Sequence, residues 1–243
     1  GRILGVEALA RWYEPLHGIL TPSAFMPTIA ARNLDGQLAA SMLRQSLAAQ
    51  QHWLESGLDV SVSINLSSAA MARHSVVQSL ISLADTAGAR RESVVFELTE
   101  TLNDSAAEGS LFENLAELRM AGFGLAIDDF GIGYSSMARL RDIPFTELKI
   151  DRSFLEGLSN HPHQRAIVES MIGLAHRLDM HTVAEGVETE AHSRVIRELG
   201  CDREQGYLYG APMPEWQLVS FCRARGMLPP AEHALPPLSL IHI

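Results

Sequence analysis

Short apolar, β-branched runs alternate along the chain with longer segments whose apolar residues recur every three or four positions. The short runs predict strands at 2–9, 59–66, 94–99, 124–129, 146–151, 181–185 and 203–208. The longer segments predict helices at 36–55, 74–87, 110–121, 135–141, 164–178, 189–199 and 214–226. Asp35-Gly36 and Thr189 followed by Glu190 read as helix starts, and Gly88, Gly122 and Gly200 fall where helices should stop. Strand followed by helix, repeated along the whole chain, requires parallel strands joined by crossovers. Two architectures satisfy that rule, a (β/α) barrel and a doubly wound sheet.

The polar residues separate them. Each predicted strand carries one near its C-terminal end: Glu7, Asn65, Glu97, Asp128, Lys149, Glu185 and, near the last, Gln205. In an open sheet only the strands beside the switch point contribute to a site, whereas in a barrel all strand ends converge on one mouth. Contributions from every strand favour an α/β fold of the modified TIM (β/α)8 type. Seven strands leave that barrel one short, with two unpaired edges. The barrel is expected over 1–228, followed by a proline-rich tail, 229–243, of linker composition, in which LSLIHI alone has a strand-like pattern.

Acids at strand ends ordinarily cap helices or face solvent. Several of them converging on one small mouth would raise one another's pKa steeply unless a cation offset them. The cluster, Glu7, Glu97, Asp128, Asp129 and Glu185 with the amide of Asn65, offers only oxygen donors and no Cys or His, which selects Mg²⁺ or Mn²⁺ over Zn²⁺. The adjacent acids in GLAIDDFG are expected to diverge where the strand breaks at Phe130-Gly131, Asp128 bridging two ions and Asp129 binding the second. Two ions about 3.5–4 Å apart suit in-line displacement at a phosphoester. Of 19 basic residues only Lys149 is a lysine, and it lies in the same ring, where a cation can orient an attacking water. The plainer alternative is a surface lysine paired with Asp151.

Composition narrows the partners. A formal charge of −10 argues against a nucleic-acid polymer, so any phosphate must be met by local cations or metal. Two cysteines, Cys201 and Cys222, without C-x-x-C spacing suit a reducing cytoplasm. No apolar run approaches the roughly 20 residues of a membrane span, so no membrane contact is expected from this chain. DFG at 129–131 holds magnesium in kinases, but no glycine loop before a V-A-I-K strand and no H-R-D loop accompany it. The ten histidines form no metal spacing.

EAL at 7–9 with Arg11 and Trp12, SINLS at 63–67, FELTE at 96–100, DDFGIGYSS at 128–136, LKIDRSF at 148–154, VAEGVET at 183–189 and QGYLYGAPMP at 205–214 resemble the EAL domain family of bacterial cyclic di-GMP phosphodiesterases. The resemblance implies a barrel that hydrolyses one phosphodiester of cyclic di-GMP to linear pGpG with Mg²⁺ or Mn²⁺. Carried over position by position, the first ion falls to Glu7, Asn65, Glu97 and Asp128, and the second to Asp128, Asp129 and Glu185. Lys149 matches the lysine that contacts the attacking water, Arg11 the arginine on the substrate phosphate, and Glu100 the acid that steadies the loop after the paired aspartates. Catalytic roles thus fall to Lys149, Glu185 and Glu100, and substrate-binding roles to Arg11, Leu9, Gln205, Glu188 and Asp151. Degenerate members act as cyclic di-GMP receptors or protein-interaction modules, and the complete set of metal and water positions favours the enzyme. Two departures stand out: Ile132 where the family loop usually carries Thr, and a start just upstream of EAL, without the usual preceding helix and strand. The family also implies a homodimer and a sensory or GGDEF-type domain outside this chain.

Overall fold

The computed structural model describes residues 3–99, 108–132, 140–158 and 161–228. Seven parallel strands form one sheet: β1 (Gly5–Ala8), β4 (Ser61–Asn65), β5 (Val94–Thr99), β6 (Gly124–Phe130), β7 (Glu147–Ile150), β8 (His181–Ala184) and β9 (Arg203–Glu204), hydrogen-bonded in that order. Every pairing is parallel and sequential, the βα succession that the alternating pattern demanded. β2 (Trp12–Glu14) and β3 (Gly18–Leu20) form a separate antiparallel hairpin after β1.

The sheet is curled. Laid flat, its first and last strands would stand roughly 29 Å apart, six spacings of about 4.8 Å. Instead Gln205 Nε2, one residue past β9, donates to Glu7 Oε2 on β1 at 2.6 Å. The two edges therefore meet at the C-terminal mouth through side chains, while among the described residues β1 and β9 each pair with a single neighbour strand. This is a seven-stranded half-barrel, one strand short of closure as the strand count predicted.

Helices cover the outer face. α2 (Asp35–Glu55) buries Ala39, Leu43, Leu47 and Trp53 on one stripe; α4 (His74–Thr86) buries Val77, Leu80 and Ala84. α5 (Glu108–Met120) adds Leu111, Leu115 and Leu118, α6 (Pro162–Arg177) adds Val168, Ile172 and Ala175, and α7 (Glu190–Glu198) adds Val195 and Ile196. These stripes pack on strands buried along their length: β7 is wholly buried, and β5 is buried except for Thr99. Thr189 caps α7 by accepting from His192 N at 3.1 Å, as its sequence position suggested.

Several elements differ from the sequence reading. The hairpin, α1 (Pro22–Ala31) and the one-turn α3 (Ser68–Met71) were not anticipated. The last strand stops at Glu204 rather than running to 208, because the chain turns at Gly206 (φ +158°), whose backbone lies against Val187 too closely for any Cβ. The helix expected over 214–226 is a 3-10 turn, Glu215–Gln217, leading into α8 (Leu218–Ala224). Most of the helix expected at 135–141, and the tail 229–243, lie outside the described residues.

Candidate active site

The acid pair sits on a bulge, which corrects the expectation of a strand break. Ile127 pairs with Leu148 and Phe130 with Ile150, so Asp128 and Asp129 together oppose the single residue Lys149. Asp129 takes φ +55°, the left-handed region that Asp tolerates better than most side chains, and its N–H donates to Asp128 Oδ1 at 3.1 Å. The extra residue turns both carboxyls toward the mouth, and β6 continues to Phe130. Gly131 follows at φ +101°, where an added Cβ would lie 2.6 Å from Met171 Cε and 2.8 Å from Phe154 Cζ. The chain leaving the acid pair is thus seated directly on two half-buried side chains.

Lys149 is the centre of the cluster. The side chain is 2 % exposed, and its ammonium lies 2.6 Å from Glu185 Oε1, 2.8 Å from Glu97 Oε2 and 3.2 Å from Asp128 Oδ1. The surface pairing with Asp151 does not occur: Asp151 caps the 3-10 turn Arg152–Phe154 by accepting from Ser153 N at 2.9 Å. Burial works to lower the pKa of Lys149, but the fields of Glu97, Glu185, Asp128 and Glu7 outweigh it and hold the ammonium charged well above the ordinary lysine range. Burial pushes the Glu97 carboxyl up to about 8, with Glu7 and Asp128 adding to the rise and Lys149 opposing it. Glu185 is likewise raised by burial, to about 7.

Glu7 is held from both sides. Asn65 Nδ2 donates to its Oε1 at 2.6 Å, and Gln205 Nε2 to its Oε2. That leaves the carbonyl oxygen of Asn65, and a further lone pair on each Glu7 oxygen, available to a cation. Asp128, Asp129 and Glu185 each place an oxygen within 4.8 Å of the others. The donor set fits a hard divalent ion on a further count. Glu97 Oε2 is sealed from solvent, with the Lys149 ammonium at 2.8 Å as its one charged partner among the described residues. A buried carboxylate oxygen in that state is ready for a cation.

The remaining candidates are distributed around the rim. Leu9, Arg11 and Glu188 are exposed, Arg11 donating to its neighbour Ala10 O at 2.8 Å. Glu100 lies outside the described residues, as does the loop beyond Ile132, itself 59 % exposed. The sequence reading missed one half-buried ion pair. Glu147, two residues before Lys149 on the same face of β7, pairs with Arg203 of β9. The alternation along β7 carries the signal, since ELKI places Glu147 and Lys149 on one side.

This geometry agrees with the comparisons with known proteins. The family model described as the EAL domain matches residues 1–212. The chain belongs to the EAL domain family. Cyclic di-GMP phosphodiesterase RocR of Pseudomonas aeruginosa is 37 % identical over 222 residues, covering 91 % of this chain and 56 % of RocR. Among solved structures, the MucR phosphodiesterase in complex with c-di-GMP superposes with a TM-score of 0.81 at 37 % identity, covering 90 % of this chain and 88 % of that one. Klebsiella pneumoniae BlrP1 in a calcium/cy-diGMP complex gives 0.72 at 30 % identity, covering 86 % of this chain and 51 % of that one. The chain spans about half the length of RocR and less of other curated relatives. Among its described residues no helix is long and apolar enough to cross a membrane.

Proposed function

We propose that this EAL domain hydrolyses one phosphodiester of cyclic di-GMP, releasing linear pGpG, with two Mg²⁺ or Mn²⁺ ions. The observation that carries the reading is Lys149 buried among Glu97, Asp128 and Glu185, beside the Asp128, Asp129 and Glu185 oxygen triangle. Glu7, the carbonyl of Asn65, Glu97 and Asp128 would hold the first ion, and Asp128, Asp129 and Glu185 the second. When bound, such a pair supplies Lewis-acid stabilisation of the entering and leaving oxygens.

The chain's own groups do the rest. Lys149, fixed by its three acids, donates to the attacking water and stabilises the charge that develops on it. Glu185, whose Oε1 lies 2.6 Å from the Lys149 ammonium, is placed to accept a proton from the same water. Gln205 and Asn65 fix the aim of Glu7. Arg11 meets a substrate phosphate and Leu9 offers an apolar surface to a base, with Glu188 and Asp151 at the same rim and Glu100 steadying the loop after the acid pair. The substrate itself comes from the relatives, RocR by its name and MucR and BlrP1 by the nucleotide in their complexes.

Incubating purified protein with cyclic di-GMP and Mg²⁺ and resolving the products chromatographically tests the reading: pGpG is expected, and binding without product overturns it in favour of a receptor. Calcium, whose looser coordination suits an in-line displacement poorly, is expected to support binding with little turnover.

A further inference from the structure

Among the described residues, two arginines stand immediately beyond the C-terminal ends of sheet strands: Arg11 after β1 and Arg152 after β7. Six other arginines are neutralised by carboxylates. Arg152 makes no ion pair and no side-chain hydrogen bond among the described residues. This is unexpected beside a mouth that gathers five acids in a chain of charge −10. The adjacent Asp151 feels the charge of Arg152 without forming an ion pair with it and is engaged as a cap.

The arginine is nonetheless positioned. Gly186, the residue after Glu185, adopts φ +65°, and a Cβ there would lie 2.4 Å from Arg152 Cβ and 3.5 Å from Arg152 Cδ. The aliphatic stem of Arg152 therefore runs along the bare backbone of Gly186, in a slot that exists because that residue has no side chain. The exposed guanidinium projects from a stem braced one residue from Glu185. A fixed stem with an unpaired planar fork costs little further ordering when an anion arrives, and the fork matches two phosphate oxygens.

A cyclic dinucleotide carries two phosphodiesters, of which the proposed reaction consumes one. We infer that Arg152 holds the second, uncleaved phosphodiester, fixing the ring while the first is attacked; this rests on the hydrolase reading above. The arginine is then a substrate-binding residue with no part in proton transfer.

The test compares wild type, Arg152→Ala and Arg152→Lys in steady-state hydrolysis of cyclic di-GMP with Mg²⁺. KM is expected to rise about tenfold in Arg152→Ala with kcat changed less than about threefold, and Arg152→Lys to recover part of the loss. The KM of wild type should also rise more steeply with ionic strength than that of Arg152→Ala. The loss should be several times smaller toward bis(p-nitrophenyl) phosphate, which has one phosphodiester. An unchanged KM in Arg152→Ala overturns the assignment. So does a loss confined to the guanine nucleotide, with cyclic di-AMP binding and salt dependence unaffected, because that marks a contact to the base edge. If wild type binds without releasing pGpG, the hydrolase reading fails while calorimetric affinities with Ca²⁺ still decide on Arg152: a tenfold weaker Arg152→Ala supports it, equal affinities refute it.

Discussion

Lys149 ties the architecture of the mouth to the chemistry proposed for it. Three carboxylates within 3.2 Å of one ammonium form a charge cluster that only a cation or protons can balance. Replacing Lys149 by Met is expected to lower turnover by a factor of about 10² or more, since the donor to the water disappears; stopped assays of pGpG release check this while circular dichroism confirms folding. The raised carboxyls fix a pH dependence with a definite sign. Glu97 rises from 4.5 to about 8 and Glu185 from 4.5 to about 7, so the folded metal-free protein retains protons that the unfolded chain gives up above 4.5. Its stability should therefore fall as pH climbs from about 4.5 to 8. Protons and divalent ions compete for the same oxygens, so apparent Mg²⁺ affinity should increase over the upper part of that range, measurable by titration calorimetry between pH 6 and 8. Gly131→Ala should cost activity without touching an acid, because its methyl would press on Phe154 and Met171 and displace the bulge. Wild-type kinetics in that variant would refute the seating.

At the scale of elements, β7 and β9 are tied by Glu147 and Arg203 across the intervening β8. Removing Arg203 strands the buried Glu147 carboxylate and should destabilise by about 1–3 kcal/mol, removing Glu147 should cost less because the Arg203 side chain is 30 % exposed, and the apolar pair Glu147→Leu with Arg203→Met should recover much of the loss. Denaturant midpoints of the single and double variants separate these outcomes. Neither residue drew attention in the sequence, because a charge inside a short strand looks solvent-facing until the curvature of the sheet is known. The ring of polar strand ends was legible for the opposite reason: a fixed position, repeated strand after strand, is a one-dimensional pattern. The bulge was not, since two adjacent acids look alike whether a strand ends or buckles, and the distinction lies in pairing register with β7. Local chemistry also hid α1, whose PSAFMPTIAA carries two prolines, Pro22 at the tolerated first position and Pro27 inside the helix. The hairpin was obscured because Tyr13 and Ile19 pair across it with both side chains exposed, so it lacks the one-sided alternation of a half-buried strand.

For the whole molecule, binding of the proposed ions would be coupled to folding of the half-barrel. The proposed ligands come from five strands, and an ion that binds them only when folded stabilises by about 2.7 kcal/mol at a hundred times its dissociation constant. For a chain of this size that corresponds to a rise in melting temperature of roughly 5–10 °C. Thermal scans with Mg²⁺ and with excess chelator check it, and an unchanged midpoint would count against the ligand set. The general fold was legible because a parallel βα succession leaves few topologies; how far the sheet curls was not, because that depends on packing among all seven strands.

The contact between Glu7 and Gln205 joins residues 198 positions apart. During synthesis the first strand leaves the ribosome long before its distant partner exists, so a nascent copy halted ahead of Gln205 carries Glu7 with one of its two amide braces still unmade. If the domain is the hydrolase proposed above, turnover is expected to begin only once translation has passed the final strand, and an abandoned copy should be catalytically silent rather than partly working.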